Sequence, residues 1–203
     1  MEPRASPDID PADRHHSIEG TVRSDFHSVT ATVYRTAMNI DDSAPRGAAR
    51  ALLRHTIATL AYRAAKVLRD APANFSSYSI APGTRTPGQI LAHMCDLFDW
   101  ALSMAQAKQK WADTAPRTWD ADCDRFFHSV AAFDQYLESS APLGTSIEQL
   151  FQGPVADALT HTGQLAMLRR LAGAPVKGEN YARARIAVGQ VGSQQPKAVS
   201  EFA

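Results

Sequence analysis

The stretch Pro154-Val155-Ala156-Asp157-Ala158-Leu159-Thr160-His161-Thr162-Gly163-Gln164-Leu165-Ala166-Met167-Leu168-Arg169-Arg170-Leu171 decides how this chain is read. At helical period Asp157, His161, Gln164, Leu165, Leu168, Leu171 and Ala172 fall on one stripe, because residues three and four apart share a face. The acid and the imidazole therefore point where the leucines point. A charge aimed into a core needs a partner, since burying it alone costs several kcal/mol or neutralises it. A bound cation would satisfy both groups, and an i, i+4 pair on adjacent turns can grip a single ion. A salt bridge between Asp157 and His161 would satisfy them without one.

Working outward, Gly153-Pro154 opens this last helix and Gly173, with Pro175 behind it, closes it. Thr145-Ser146-Ile147-Glu148 precedes it as a separate short turn. Upstream, Leu52, Leu53, Ile57, Leu60, Ala64, Val67 and Leu68 repeat at three and four over an alanine-rich background and predict a first helix over 48–70. Thr86-Pro87-Gly88-Gln89 has threonine at the cap, proline at the first position and glutamine at the third, which starts a second helix by a capping box. Its inward stripe is Ile90, His93, Leu97, Trp100 and Met104, and it fades near Lys108. Phe126, Val130, Phe133 and Leu137 give a third helix over 120–139. Trp100, Met104, Phe126 and Phe133 are assigned to the core. Gly163, mid-helix at a cost of about 1 kcal/mol relative to alanine, predicts a close helix approach.

Four such helices without a convincing strand pattern argue for an all-α four-helix bundle, whose sites are built from side chains on facing helices. Residues 1–44 are rich in Pro, Asp, Ser and Arg, carry His15-His16 as a tail feature, and read as an irregular, largely disordered extension. Within them, 26–40 fits either a strand or a loosely attached helix. The bundle is placed over 45–176, and 177–203 forms a tail in which Tyr181, Ile186 and Val188 can pack along its outside.

Lys+Arg and Asp+Glu each total 21 in 203 residues, so the formal charge is zero. Without a basic stripe, nucleic acid is not an expected partner. No apolar run reaches membrane-spanning length and the N-terminus lacks an apolar leader core, so a cytoplasmic protein is expected. The two cysteines, Cys95 and Cys123, form no CxxC pattern and read as reduced thiols.

The pairing of Leu91-Ala92-His93-Met94 and Asp96 on the second helix with Asp157 to Leu165 on the last, followed by Leu168-Arg169-Arg170-Leu171-Ala172-Gly173, resembles the DinB-like superfamily over roughly residues 48–181. The resemblance implies an up-down-down-up four-helix bundle, often a homodimer, holding one divalent metal through a histidine of the second helix and an H-x-x-x-H pair of the last. On this chain those positions are His93, Asp157 and His161. Asp157 departs from the histidine found there, although the related mycothiol-dependent maleylpyruvate isomerases carry a carboxylate at that place. Carboxylate oxygen ligates zinc at about the same distance as imidazole nitrogen.

Three protein ligands leave positions open for water or substrate, the arrangement of a catalytic zinc site. Zinc is the first expectation; nickel, iron and manganese fit the same donors, and the ligand types match those of the non-haem iron triad. The chemistry implied is hydrolysis of a small molecule, or transfer involving a low-molecular-weight thiol as cosubstrate. Asp96 and Gln164, each about one turn from a histidine, are the candidates for orienting the ligands or accepting a proton. His55, beside the first helix's stripe, is a substitute ligand, and His128 is expected to be exposed. A non-enzymatic bundle that binds metal weakly, or none, is the competing reading.

Overall fold

A run of alanines and leucines without a proline, and with its one glycine, Gly47, in the first turn, makes the first helix, α1 (Arg46–Leu68), of a computed structural model that describes residues 46–202. The extension expected over 1–44, with its segment at 26–40, lies outside the described residues. The other long segments are α2 (Pro87–Ala105), α3 (Trp119–Glu138) and α5 (Ala156–Leu171), the last preceded by the short α4 (Ile147–Leu150). Among the described residues there is no strand, only an isolated antiparallel bridge between Glu179 and Glu201. The described residues are therefore of the all-α class. Among the described residues no helix is long and apolar enough to cross a membrane.

α1 packs on α3 and α5, and α2 packs on the same two. Their shared core holds Ile57, Leu60, Leu91, Met94, Val130, Leu137 and Leu165, with Phe98 meeting Phe126 edge-on at 5.7 Å between ring centres and Phe133 at 6.2 Å. Leu52 and Leu171 sit on the outer face, 67% and 52% exposed, because each lies at the margin of its helix's apolar arc rather than its centre. Arg54 reaches across from α1 to hold Asp134 of α3 with two hydrogen bonds of 2.9 Å.

The capping box at Thr86 and Gln89 is formed, and α2 ends at Ala105, three residues before the expected fading at Lys108. Ala107 then turns the chain through a positive φ of 57°, while the Gly144 amide donates to the Ala105 carbonyl at 2.8 Å. A side chain at Gly144 would run into the Ala107 backbone, so only glycine fits that approach. Gly173, at φ 76°, closes the last helix as expected.

The last helix departs from its expected start. Ser146 and Gln149 form a second capping box, so helical backbone begins at Ile147 and runs without a break into α5. Pro154 does not open a helix; it lies inside a single π turn, Phe151–Val155. Proline has no N–H to donate and its ring collides with the carbonyl four residues back in an α-helix. The wider turn accommodates both defects, and such turns recur beside functional sites. Gly163 does not mark a close approach either: it is exposed, and a Cβ there would meet nothing within 4 Å.

The C-terminal segment lies on α1. Tyr62 donates its hydroxyl to buried Glu179 at 2.9 Å, and Lys66 bridges Glu179 and Glu201. Burial and the Glu179 carboxylate push the Tyr62 phenol up to about 12, so the hydroxyl stays a donor. Tyr181 packs edge-on to Tyr62 and Ile186 is partly buried, whereas Val188 is exposed and Val191 takes the buried place.

Candidate metal centre

The π turn is followed at once by Asp157, and the regular helix after it places His161 one turn further along the same side. Across from them α2 presents His93. The Nε2 of His93 is 3.3 Å from Oδ2 of Asp157, and the Nε2 of His161 is 3.4 Å from Oδ1. The two imidazoles meet edge to face, 4.9 Å between centres. One ligand atom from each of the three side chains can be chosen so that all lie within 4.8 Å of one another, and the group can hold a metal ion.

Two features of the donor set fit a cation. Ligands about 2.0–2.1 Å from zinc in a tetrahedron stand about 3.3–3.4 Å apart, and each histidine Nε2 is that far from a different oxygen of Asp157. His161 Nδ1 also lies 2.7 Å from Oε1 of Gln164. With that oxygen accepting, Nδ1 carries the ring proton and Nε2 turns its lone pair toward the carboxylate. Two acceptors facing each other need a proton or a metal between them.

Asp157 is not directed into the core as the stripe suggested. Its side chain is 45% exposed, while those of His93 and His161 are 18% and 10% exposed. The three groups thus sit at the core's edge, where His93 and Asp157 line an open cleft of about 600 Å³ together with Leu97, Trp100, Gln109 and Trp111. Trp100 is accordingly a wall of the cleft rather than a core residue, and Met104 is only partly buried. A second recess of about 430 Å³ lies against the same Leu97, Trp100 and Asp157 and is completed by Gln152, Gly153, Ala156 and Thr160.

Searches against protein-family models, curated proteins and solved structures return no match for this chain.

The other named residues fall elsewhere. His55 is exposed and outside the cluster, so it is not a substitute ligand; His128 is exposed as well. Asp96 is buried, 1% exposed, and its partners are not the histidine one turn back. It accepts from the backbone amide and hydroxyl of Thr114, each at 2.8 Å, and from Arg125 at 2.5 Å. Arg125 also holds Asp99 at 2.7 Å. Burial opposes the guanidinium's charge, but the bonds to Asp96 and Asp99 outweigh it and hold its pKa above the ordinary value. A second carboxylate, Asp122, accepts from the Arg117 amide. Together these clasps fix the connection between α2 and α3, and that connection carries Gln109 and Trp111.

Trp111 is the site residue that sequence reasoning missed. Its ring stands edge-on to His93 at 5.6 Å and to Trp100 at 5.7 Å. The available signal was a lone large aromatic in a polar, proline-containing connection. Neither cysteine is a nucleophile here: burial pushes the Cys95 thiol well up, and burial with neighbouring aspartates pushes Cys123 to about 12.

Proposed function

We propose that this chain is a divalent-metal-dependent enzyme of the DinB-like kind, an up-down-down-up four-helix bundle acting on a small molecule, with His93, Asp157 and His161 as metal ligands. The observation that carries this reading is the convergence of three ligating side chains, two imidazoles and one carboxylate, from two helices beside an open cleft. Zinc suits the ligand set best, with three protein donors and an open position. A metal bound there supplies Lewis acidity and stabilises a deprotonated water or thiol.

The residues of the chain do the rest. Gln164 fixes the His161 tautomer, so the ring offers Nε2 to the site. Trp100 and Trp111 narrow access and replace water along the cleft walls. Asp157, half in water, is the one carboxylate lining the site and can also relay a proton at its second oxygen.

Transfer involving a low-molecular-weight thiol is favoured over hydrolysis by the two recesses that meet at Asp157, since two organic reactants need two places. The thiol's S–H bond breaks and its sulfur bonds to an electrophilic carbon as that carbon's bond to a leaving group, or its double bond to a neighbouring carbon, breaks; the proton goes to the leaving group or to that neighbouring carbon. No oxidant is required. Hydrolysis is the second reading, favoured by the exposure of Asp157 to water. Cobalt-substituted protein titrated with thiols separates them. A thiolate-to-cobalt charge-transfer band is the expected result; its absence with every thiol tested would favour hydrolysis.

A further inference from the structure

We infer that the larger recess receives an uncharged, flat, ring-bearing molecule, seated against Trp111 and Trp100 with a polar group toward Gln109. This deepens the proposal above and rests on it for the direction in which the reacting end points and for the exclusion of a cation.

The volume, about 600 Å³, lies in the range of small-molecule sites. Its walls are two indoles and Leu97, and its one neutral polar side chain is Gln109. Among the described residues, no lysine or arginine lines either recess. In the metal-free protein an anionic ring would therefore lie beside Asp157 with no cation from the chain to offset it. A cationic ring would be repelled once a dication joins one carboxylate and two neutral imidazoles, a set of net charge about +1. A neutral ring meets neither cost and gains the contact area of two indoles.

Trp111 is 46% exposed. A tryptophan left that open is a large area of unburied apolar surface, yet here it is not on a loose loop. The connection bearing it is pinned at Thr114 by buried Asp96 and at Arg117 by buried Asp122. An exposed indole held in place at the mouth of a cleft is a platform prepared for a ring. Gly153 extends the same surface on the far side of Trp100. A Cβ at Gly153 would lie 3.6 Å from that indole, so the face is left uncovered by the smallest residue available.

Binding of 2-naphthol, 2-naphthoate and 2-naphthylmethylammonium, followed by ligand-detected NMR on metal-loaded and metal-stripped protein, tests this. In the metal-stripped protein 2-naphthol is expected to bind about tenfold more tightly than 2-naphthoate, and in the metal-loaded protein about tenfold more tightly than 2-naphthylmethylammonium, with Trp111→Ala weakening it about tenfold in both while Trp111→Phe retains most of the affinity. Equal or tighter binding of 2-naphthoate by the metal-stripped protein, or no effect of Trp111→Ala, overturns the inference. The metal-stripped protein separates this outcome from the metal reading. Neutral-over-anionic preference there supports the ring platform whatever the protein's metal content, and its absence there overturns the platform while leaving metal binding in place.

Discussion

Replacing His161 with alanine is expected to lower the affinity for zinc by about a hundred- to a thousandfold. Four-ligand zinc sites yield about 10–16 kcal/mol in all, so one ligand is worth about 3–4 kcal/mol, and each 1.4 kcal/mol is a factor of ten. His93→Ala should cost a similar amount, because its Nε2 stands at the same distance from Asp157 as that of His161, within 0.1 Å. Gln164→Ala removes only the group that orients His161, and should cost about tenfold, at the low end for such partners. His55→Ala, on an exposed face away from the cluster, should change nothing. Competition with a chromophoric chelator measures all four. If Asp157 and His161 were simply a structural ion pair, His161→Ala would lower the melting temperature and the four variants would not separate by zinc affinity.

The second large effect is on stability. Asp96→Ala is expected to destabilise the fold by about 3 kcal/mol, the lower end for breaking a buried ion pair, because Arg125 keeps Asp99. For a domain of this size that lowers the melting temperature by about 6–12 °C. Arg125 already has one buried nitrogen, Nη1, with no hydrogen-bond partner, so losing Asp96 leaves a second nitrogen without its main acceptor. Thr114 is released at the same time, and the near-ultraviolet circular dichroism of Trp111 should weaken. Zinc affinity should stay within a few-fold of the parent, since His93 is held by α2 itself. The reading of Asp96 as a ligand-orienting group predicts the reverse: weaker zinc binding with little loss of stability.

Helical periodicity alone located α1, α2 and α3 to within two or three residues, because each buries one continuous apolar face and has a clear punctuation at its ends. The last helix was misjudged at its start because proline was taken as a boundary. The capping box at Ser146 and the π turn that absorbs Pro154 are local features of a kind that proline usually forbids. His93, Asp157 and His161 were legible as a group: two lie one turn apart, and the third is the lone histidine on an apolar stripe. Their depth was not legible. A stripe gives the direction of a side chain but not where the neighbouring helices stop covering it, and Asp157 falls at that edge. Asp96 was misread for a related reason. Its partners, Thr114 and Arg125, come from a connection and a helix further along the chain, and spacing within α2 carries no information about them. Trp111 has no period at all. Its role appears only once the connection is folded back over His93.

The central claim is that the three side chains hold a metal ion, and the metal content of protein purified without a histidine tag tests it most directly. Elemental analysis should find about one equivalent of a divalent metal in the parent protein and less than about a tenth in Asp157→Ala. Less than about a tenth in the parent after growth in metal-replete medium, or equal content in parent and variant, would contradict it.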